Sequence, residues 1–172
     1  MRFVPMEGAA QSSVAMVHAV AFPPGHPDEA TVHVLSALLN KDGHSASLTS
    51  DPVTARFEMK AEMDKDKTAD AIHAMVAHIE SIQALTDSAT LEQAKAELTE
   101  EHVGRMLDAM SLARQALDIR RHDLTEDHFV TYNDRLAMVS VKDVQRVARN
   151  MIRTNNMNLC VAGSPDILEG LR

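Results

Sequence analysis

The clearest pattern along the chain is the alternation of apolar and charged residues from Phe57 to Asp64. Successive side chains of a strand point to opposite faces, so this alternation predicts a strand with one buried and one hydrated face. The buried face would comprise Phe57, Met59, Ala61 and Met63, and the hydrated face Glu58, Lys60, Glu62 and Asp64.

Two other segments are predicted to be strands. From Gln11 to Phe22, large apolar residues alternate with alanine and valine, which is typical of a strand covered on at least one side. Pro23-Pro24-Gly25 would end this strand. A last strand is predicted from Met157 to Ala162, followed by Gly163.

Apolar residues at spacings of three and four predict five helices. The longest would run from Thr90 to about Arg121, opened by a Thr90–Gln93 capping box, with Gly104 marking either a kink or a close packing contact. The other predicted helices begin near Pro27, at Thr68 as N-cap, at Thr125 and at Ser140, where the segment from Ser140 to Asp143 is predicted to cap the helix. His44 to Ala55 is expected to be a polar loop or a short irregular helix.

The resulting order, β-α-β-α-α-α-α-β, predicts an α+β fold in which helices pack on one face of a mostly antiparallel sheet. No internal repeat, low-complexity tract or linker divides the 172 residues. We therefore expect residues 1–172 to form a single domain.

Composition excludes several classes of function. The formal net charge of −8 argues against a nucleic-acid surface or an anionic membrane surface, because either needs a basic patch. Cys160 is the single cysteine and stands between apolar residues, which predicts a buried, inert thiol. Aromatic residues make up 3% of the chain, so the 11 methionines are expected to help fill the core.

The expected cellular location rests on two sequence signals, a transmembrane helix and a signal peptide. No apolar run approaches the length of a transmembrane helix, and the N-terminus lacks the apolar core of a signal peptide. We expect a cytoplasmic protein, and a periplasmic or organellar location stays open if the chain is a fragment of a longer precursor.

Several segments in order suggest a family. They are the strand from Gln11 with Gly25-His26-Pro27-Asp28, Leu91-Glu92-Gln93-Ala94-Lys95, the Ser140-Val141-Lys142-Asp143-Val144 helix, and the closing strand to Gly163. Together they resemble the non-catalytic domain of the insulinase-like metallopeptidases, which include pitrilysin and mitochondrial processing peptidase.

The resemblance implies an insulinase-like metallopeptidase domain paired with a homologous domain or subunit around a peptide chamber. In such pairs, one domain binds zinc through H-x-x-E-H, a motif that this sequence does not contain: Leu98 precedes Glu101-His102, and Leu124 precedes Asp127-His128, where the first histidine should be. We therefore expect no catalytic residue, no metal ligand and no cofactor in this chain, with zinc bound only by a partner domain.

The resemblance also points to residues that would contact substrate. The open sheet face lines the chamber in the family, which makes Arg56, Phe57, Glu58, Lys60 and Glu62 the candidate peptide-binding residues. Phe57 stands where active relatives have a tyrosine that assists binding of the substrate carbonyl, so that assistance is lost here. An exposed strand edge could also bind peptide through backbone hydrogen bonds.

Nine histidines raise the question of a metal site. His73 and His78 are five residues apart and would point to different sides of a helix, and His26 and His33 flank a helix start. The segment from His122 to His128, with Glu126 and Asp127, is the richest in ligand types, yet hydrated helix ends are the simpler interpretation. His18 is interpreted as a core or chamber-facing residue.

The sequence thus predicts the non-catalytic, substrate-chamber half of a zinc-dependent peptidase, inactive alone, that binds extended peptide. Two alternatives stay open: a proteolytically inactive structural subunit of a larger complex, and a self-associating peptide-binding module. A homo-oligomer is compatible with each of them.

Overall fold

The computed structural model describes residues 1–40, 43–50, 53, 55–84 and 87–170, and within them five strands form one mixed sheet. The strands are β1 (Arg2–Pro5), β2 (Gln11–Ala19), β3 (His44–Thr49), β4 (Arg56–Asp64) and β5 (Asn158–Gly163). Their order across the sheet is β1-β5-β2-β4-β3. The β1–β5 pair is parallel and the other three pairs are antiparallel, which confirms the mostly antiparallel sheet.

Six α-helices accompany the sheet in the described residues. They are α1 (Glu29–Leu39), α2 (Thr68–Ala84), α3 (Ser88–Leu107), α4 (Ala109–His122), α5 (Tyr132–Ala137) and α6 (Val141–Met151). α1 and α2 lie against the strands, and α3, α5 and α6 pack on α1 or α2 from outside. The predicted α+β class, with helices on one face of the sheet, is confirmed.

The core lies between this helical layer and the inner sheet face. Met16, Phe57 and Met59 from the strands meet Leu35 of α1 and Met75 of α2, all of them buried. Full burial of such a side chain stabilises the fold by about 1.5–3 kcal/mol. Methionine does fill the core where aromatic residues are few.

Two strands differ from the prediction. β1 was not predicted, because four residues pairing with the distant β5 leave little local signal. The polar loop or irregular helix predicted for His44 to Ala55 is wrong over His44–Thr49, which forms β3. β3 pairs only with β4 in the sheet, so its outward residues can be polar. Residues 51, 52 and 54 of that prediction lie outside the described residues.

The long helix predicted from Thr90 to Arg121 is two helices. Asp108 is extended (ψ 121°) and ends α3, and its carboxylate accepts a 2.7 Å hydrogen bond from the Ser111 amide at the start of α4. Gly104 lies inside α3 and marks no break. The Thr90–Gln93 capping box is also wrong, because Asp87 is the N-cap of α3 and accepts from the Thr90 amide at 3.0 Å.

The remaining boundaries agree in part. β2 ends at Ala19, three residues before the predicted end. Residues 123–131 form turns and irregular backbone, so the helix predicted from Thr125 begins only at Tyr132. Thr68 is the first residue of α2, and its hydroxyl donates to the Lys65 carbonyl. The predicted cap at Ser140 is confirmed, with a full capping box formed by Ser140 and Asp143.

Candidate functional site

The sheet face turned away from the helices presents a charged row beside small apolar residues. Arg56, Glu58, Lys60 and Glu62 all point to this side of β4, as the alternation predicts. Lys60 Nζ lies 3.0 Å from Glu58 Oε1. The neighbouring strands contribute Ser13, Ala15 and Val17 from β2 and Asn158, Cys160 and Ala162 from β5. We call these residues the open face.

Phe57 does not belong to the open face. Its side chain is 1% exposed and points into the core, opposite His18 of β2, with ring centroids 6.0 Å apart. The prediction that Phe57 contacts substrate beside Glu58 and Lys60 is therefore wrong, because adjacent residues of a strand face opposite sides.

Cys160 lies on the open face. It pairs in register with Ala15 of β2 and Arg2 of β1 and is half-buried. The prediction of a buried thiol is wrong, because the apolar run around Cys160 is a strand whose two sides differ in exposure.

The two sheet edges are poorly suited to adding a peptide strand. At β3, the Asn40 side chain accepts from the Ala46 amide at 2.6 Å and donates to the Ala46 carbonyl at 3.0 Å. It therefore occupies both backbone groups of Ala46, in the middle of β3, and interrupts the edge that an added strand would use. The opposite edge, β1, is four residues long and contains Pro5, which has no amide hydrogen to donate.

The predicted histidine groupings do not come together as ligand sets. His128 Nε2 lies 2.9 Å from Glu29 Oε2, which contradicts the interpretation of His128 as part of a hydrated helix end. His78 contacts the Leu38 carbonyl. His26 Nδ1 accepts from the Asp28 amide, whereas His33 bonds to Tyr132. In the described ranges, no group of three or more His, Cys, Asp or Glu residues is arranged to hold a metal ion.

A buried polar cluster joins α1, α5 and the turns before α5, and the sequence did not predict it. Glu29 Oε2 lies 2.9 Å from both His128 Nε2 and Arg135 Nη1. Arg135 Nη2 also donates to the His128 carbonyl at 2.8 Å. Glu29 lies 106 residues before Arg135 in the sequence, so only the packing of the helices reveals the three residues as one ionic group.

Three uncharged groups adjoin this ionic group. The Tyr132 hydroxyl lies 2.9 Å from His33 Nδ1, and the His102 ring packs 4.7 Å from the Tyr132 ring. Burial lowers the pKa of His33 and of His102 and raises the pKa of Tyr132 to about 12. At neutral pH these side chains are therefore neutral, which suits a structural role better than proton transfer.

A cavity of about 250 Å³ separates the polar cluster from α4. Ser111, Gln115 and Asp118 of α4 line it, opposite Glu29 and Tyr132. The inward side of α4 is thus polar, and none of its residues is fully buried.

No protein-family model matches the sequence, and no curated protein matches it. Solved structures do resemble it. The inactive domain of a peptidase M16 from Pseudomonas fluorescens superposes with a TM-score of 0.85 at 13% identity, covering 95% of this chain and 43% of that one. This chain therefore spans less than half the length of that relative.

Two other solved structures extend the comparison. The inactive peptidase domain of a Bordetella parapertussis protein gives a TM-score of 0.73 at 18% identity, covering 90% of this chain and 93% of that one. A chain of complex III2 from Candida albicans gives 0.81 at 11% identity, covering 99% of this chain and 46% of that one. At these identities the likeness is one of fold, and this protein has the fold of the inactive M16 peptidase domain.

Proposed function

We propose that this chain is a non-catalytic half of an insulinase-like zinc peptidase, whose open face lines a chamber for extended peptide. The observation that carries the proposal is a bare sheet face on a fold shared with inactive M16 peptidase domains. Zinc and the groups that activate water would come from a separate H-x-x-E-H domain, because this sequence has no such motif.

The chemistry of the open face suits an extended chain of varied sequence. Small side chains such as Ala15 and Ala162 leave room for a peptide backbone, and the Glu58–Lys60 pair offers both signs of charge. Because both sheet edges are blunted, contact across this face is favoured over strand addition. A cytoplasmic location stays a prediction, and no helix in the described parts of the chain is long and apolar enough to cross a membrane.

Peptide binding can be measured by titrating the isotopically labelled chain with extended peptides blocked at both ends. We expect amide shifts at open-face residues. Ala15→Arg should weaken binding by about tenfold or more, since the new side chain fills the face. Ala113→Arg, on the exposed side of α4, is the matched control and should bind as the wild type does.

The pairing with a catalytic partner needs a second assay. Cleavage of a quenched peptide library is expected only when a candidate H-x-x-E-H protein is added to the chain. Chelator-sensitive cleavage by the chain alone would overturn the proposal, and so would equal peptide binding by the wild type and Ala15→Arg.

A structural subunit of a larger complex is the second candidate. The likeness to a chain of complex III2 favours it, as does the exposed apolar side of α4, which carries Met110 and Leu117. Under this candidate the chain would copurify in a stable assembly, and neither peptide binding nor partner-dependent cleavage would be seen.

A further inference from the structure

The outer side of α4 carries a stripe of apolar residues that this domain does not cover. Spacings of three and four place its members on one side of the helix, opposite Ser111 and Gln115, which face the cavity. All of them are exposed, and we call them the α4 stripe: Ala109, Met110, Ala113, Ala116 and Leu117. Apolar side chains grouped on one exposed helix side are typical of a contact surface for another molecule.

The shape of the α4 stripe suits a second helix. Met110 and Leu117 are its large members, and alanines lie between and beside them. A helix laid along the stripe can approach closely at Ala113, in the centre, and pack its own large residues beside Met110 and Leu117. The stripe is exposed along its whole length, so a second helix can reach it.

The charge of the chain indicates where two copies can meet. The formal net charge of −8 makes two copies repel each other over most of their surface. Residues 108–123 are an exception, since they contain three aspartates and three arginines and have a formal charge of zero. Repulsion between two copies is therefore smaller at α4 than the charge of the whole chain implies.

The charges at α4 are also ordered along the helix. Asp108 stands at its start, and Arg120 and Arg121 lie in its last turn, where the following Asp123 offsets one of the two positive charges. In an antiparallel pair of α4 helices, the acidic end of each copy meets the basic end of the other. A parallel pair would instead bring the arginines together and align the two helix dipoles unfavourably.

A two-fold axis near Ala113 satisfies both the apolar and the charged contacts. It sets Met110 opposite the second copy's Leu117, and Ala113 opposite the second copy's Ala113. Arg120 follows Ala113 by seven residues and Asp108 precedes it by five, so at 1.5 Å per residue their distances from the axis differ by about 3 Å. The length of an arginine side chain spans that difference.

We propose that two copies of this chain pair through the α4 stripe, antiparallel about a two-fold axis near Ala113. Such a contact uses the same surface on both copies and closes at two. α4 is about 21 Å long, which gives an interface below the standard size and a weak dimer, with a dissociation constant of roughly 10–300 µM. Dilute chain is therefore monomeric, with the stripe in water. The proposal does not rest on the proposed function, because α4 belongs to the helical layer and not to the open face.

Sedimentation velocity between about 5 µM and about 1 mM tests the pairing. The wild type is expected to change from monomer to dimer over this range, and Leu117→Asp and Ala113→Arg should each weaken the dimer by at least about tenfold. Met138→Asp is the matched control. Met138 is 74% exposed, as Leu117 nearly is, but it lies beyond α5, next to the Ala137 carbonyl that accepts from Lys95 of α3. This variant should dimerise as the wild type does.

Reversal of one charge tests the order of charges along α4. Arg120→Glu should weaken the dimer by about tenfold, because the symmetry replaces two contacts with Asp108 by two like-charge contacts. Arg153→Glu, at an exposed arginine after α6, makes the same change in net charge and is the matched control. Its effect measures general repulsion and should be smaller. Equal weakening by the two variants would contradict the antiparallel arrangement.

Cross-linking locates the two-fold axis. In a Cys160→Ser background, Ala113→Cys should form a disulfide between two copies under mild oxidation, because the axis brings the two thiols together. Ala74→Cys, at an exposed site on α2, should not. A wild type that stays monomeric to about 1 mM, a dimer that survives Leu117→Asp, or equal cross-linking at both sites would overturn the proposal. If blocked peptides still bind the open face in that case, the dimer alone is rejected and the proposed function stands.

Discussion

Helices α4 and α6 are both amphipathic, yet they use their apolar sides in opposite ways. α6 buries Val144, Val147 and Ala148 in the core. α4 leaves Met110 and Leu117 63% and 69% exposed and turns polar residues toward the protein. Apolar periodicity therefore shows that a helix has an apolar face, but it does not show whether the rest of this domain covers that face.

The difference follows from what lies beneath each helix. α6 packs on α1 and α2, whose apolar residues continue into the sheet. α4 packs on α3 and lies over the cavity beside the polar cluster of Glu29, His128 and Arg135. Because the polar cluster lies beneath α4, the polar side of this helix faces the protein, and its apolar side is directed to solvent or to another molecule.

The largest expected effect separates the two apolar faces. Val147→Asp should lower the free energy of unfolding by about 3–5 kcal/mol, because an unpaired carboxylate would enter the core. Leu117→Asp should change it by no more than about 0.5 kcal/mol, because the site is already in water. Urea unfolding at neutral pH measures both. Equal losses would mean that α4 also packs its apolar face inside the domain, and the contrast would fail.

A second variant tests the polar cluster beneath α4. Glu29→Gln should cost about 2 kcal/mol, because the neutral amide cannot pair with both His128 and Arg135 in this mostly buried site. Glu100→Gln, at an exposed position of α3, is the matched control. If the two variants unfold at the same urea concentration, the ionic group contributes no net stability.

The neutral histidines near α4 predict a dependence of stability on pH. Burial holds the folded-state pKa of His33 and of His102 below the unfolded value of about 6.5. As pH falls through and below that value, the unfolded chain binds more protons, so the free energy of unfolding decreases. We expect a smaller decrease from pH 7 to pH 5 in the His33→Gln/His102→Gln double variant than in the wild type. His73→Gln, at an exposed site, should follow the wild type, and a double variant that does so as well would contradict the assignment.

Sequence patterns predict the elements whose signals are local. The alternation in β4, the apolar spacing of α2 and the Ser140–Asp143 box all lie within a few residues of each other and agree with the structure. β1 and β3 are edge strands defined by their partners β5 and β4, so their own residues carry little information. The break at Asp108 depends on the Asp108–Ser111 cap, which competes with continuation of an otherwise helical sequence.

The candidate site shows the same limit more strongly. Alternation places Arg56, Glu58, Lys60 and Glu62 on one face, and the same rule, applied to Phe57, puts that residue in the core. The group of Glu29, His128 and Arg135 spans more than 100 residues of the sequence, so no local pattern predicts it.

The smallest expected effects concern the caps of the same two helices. Ser140→Ala should lower the free energy of unfolding by about 1 kcal/mol, because the capping box starts a helix that belongs to the core. Asp108→Ala removes the corresponding cap of α4, yet α4 buries no residue, so its loss should appear locally. Hydrogen exchange should therefore become faster in the first turns of α4, with a smaller change in global unfolding than Ser140→Ala causes. A larger global loss from Asp108→Ala would show that α4 is as much a part of the cooperative core as α6, despite its exposed apolar face.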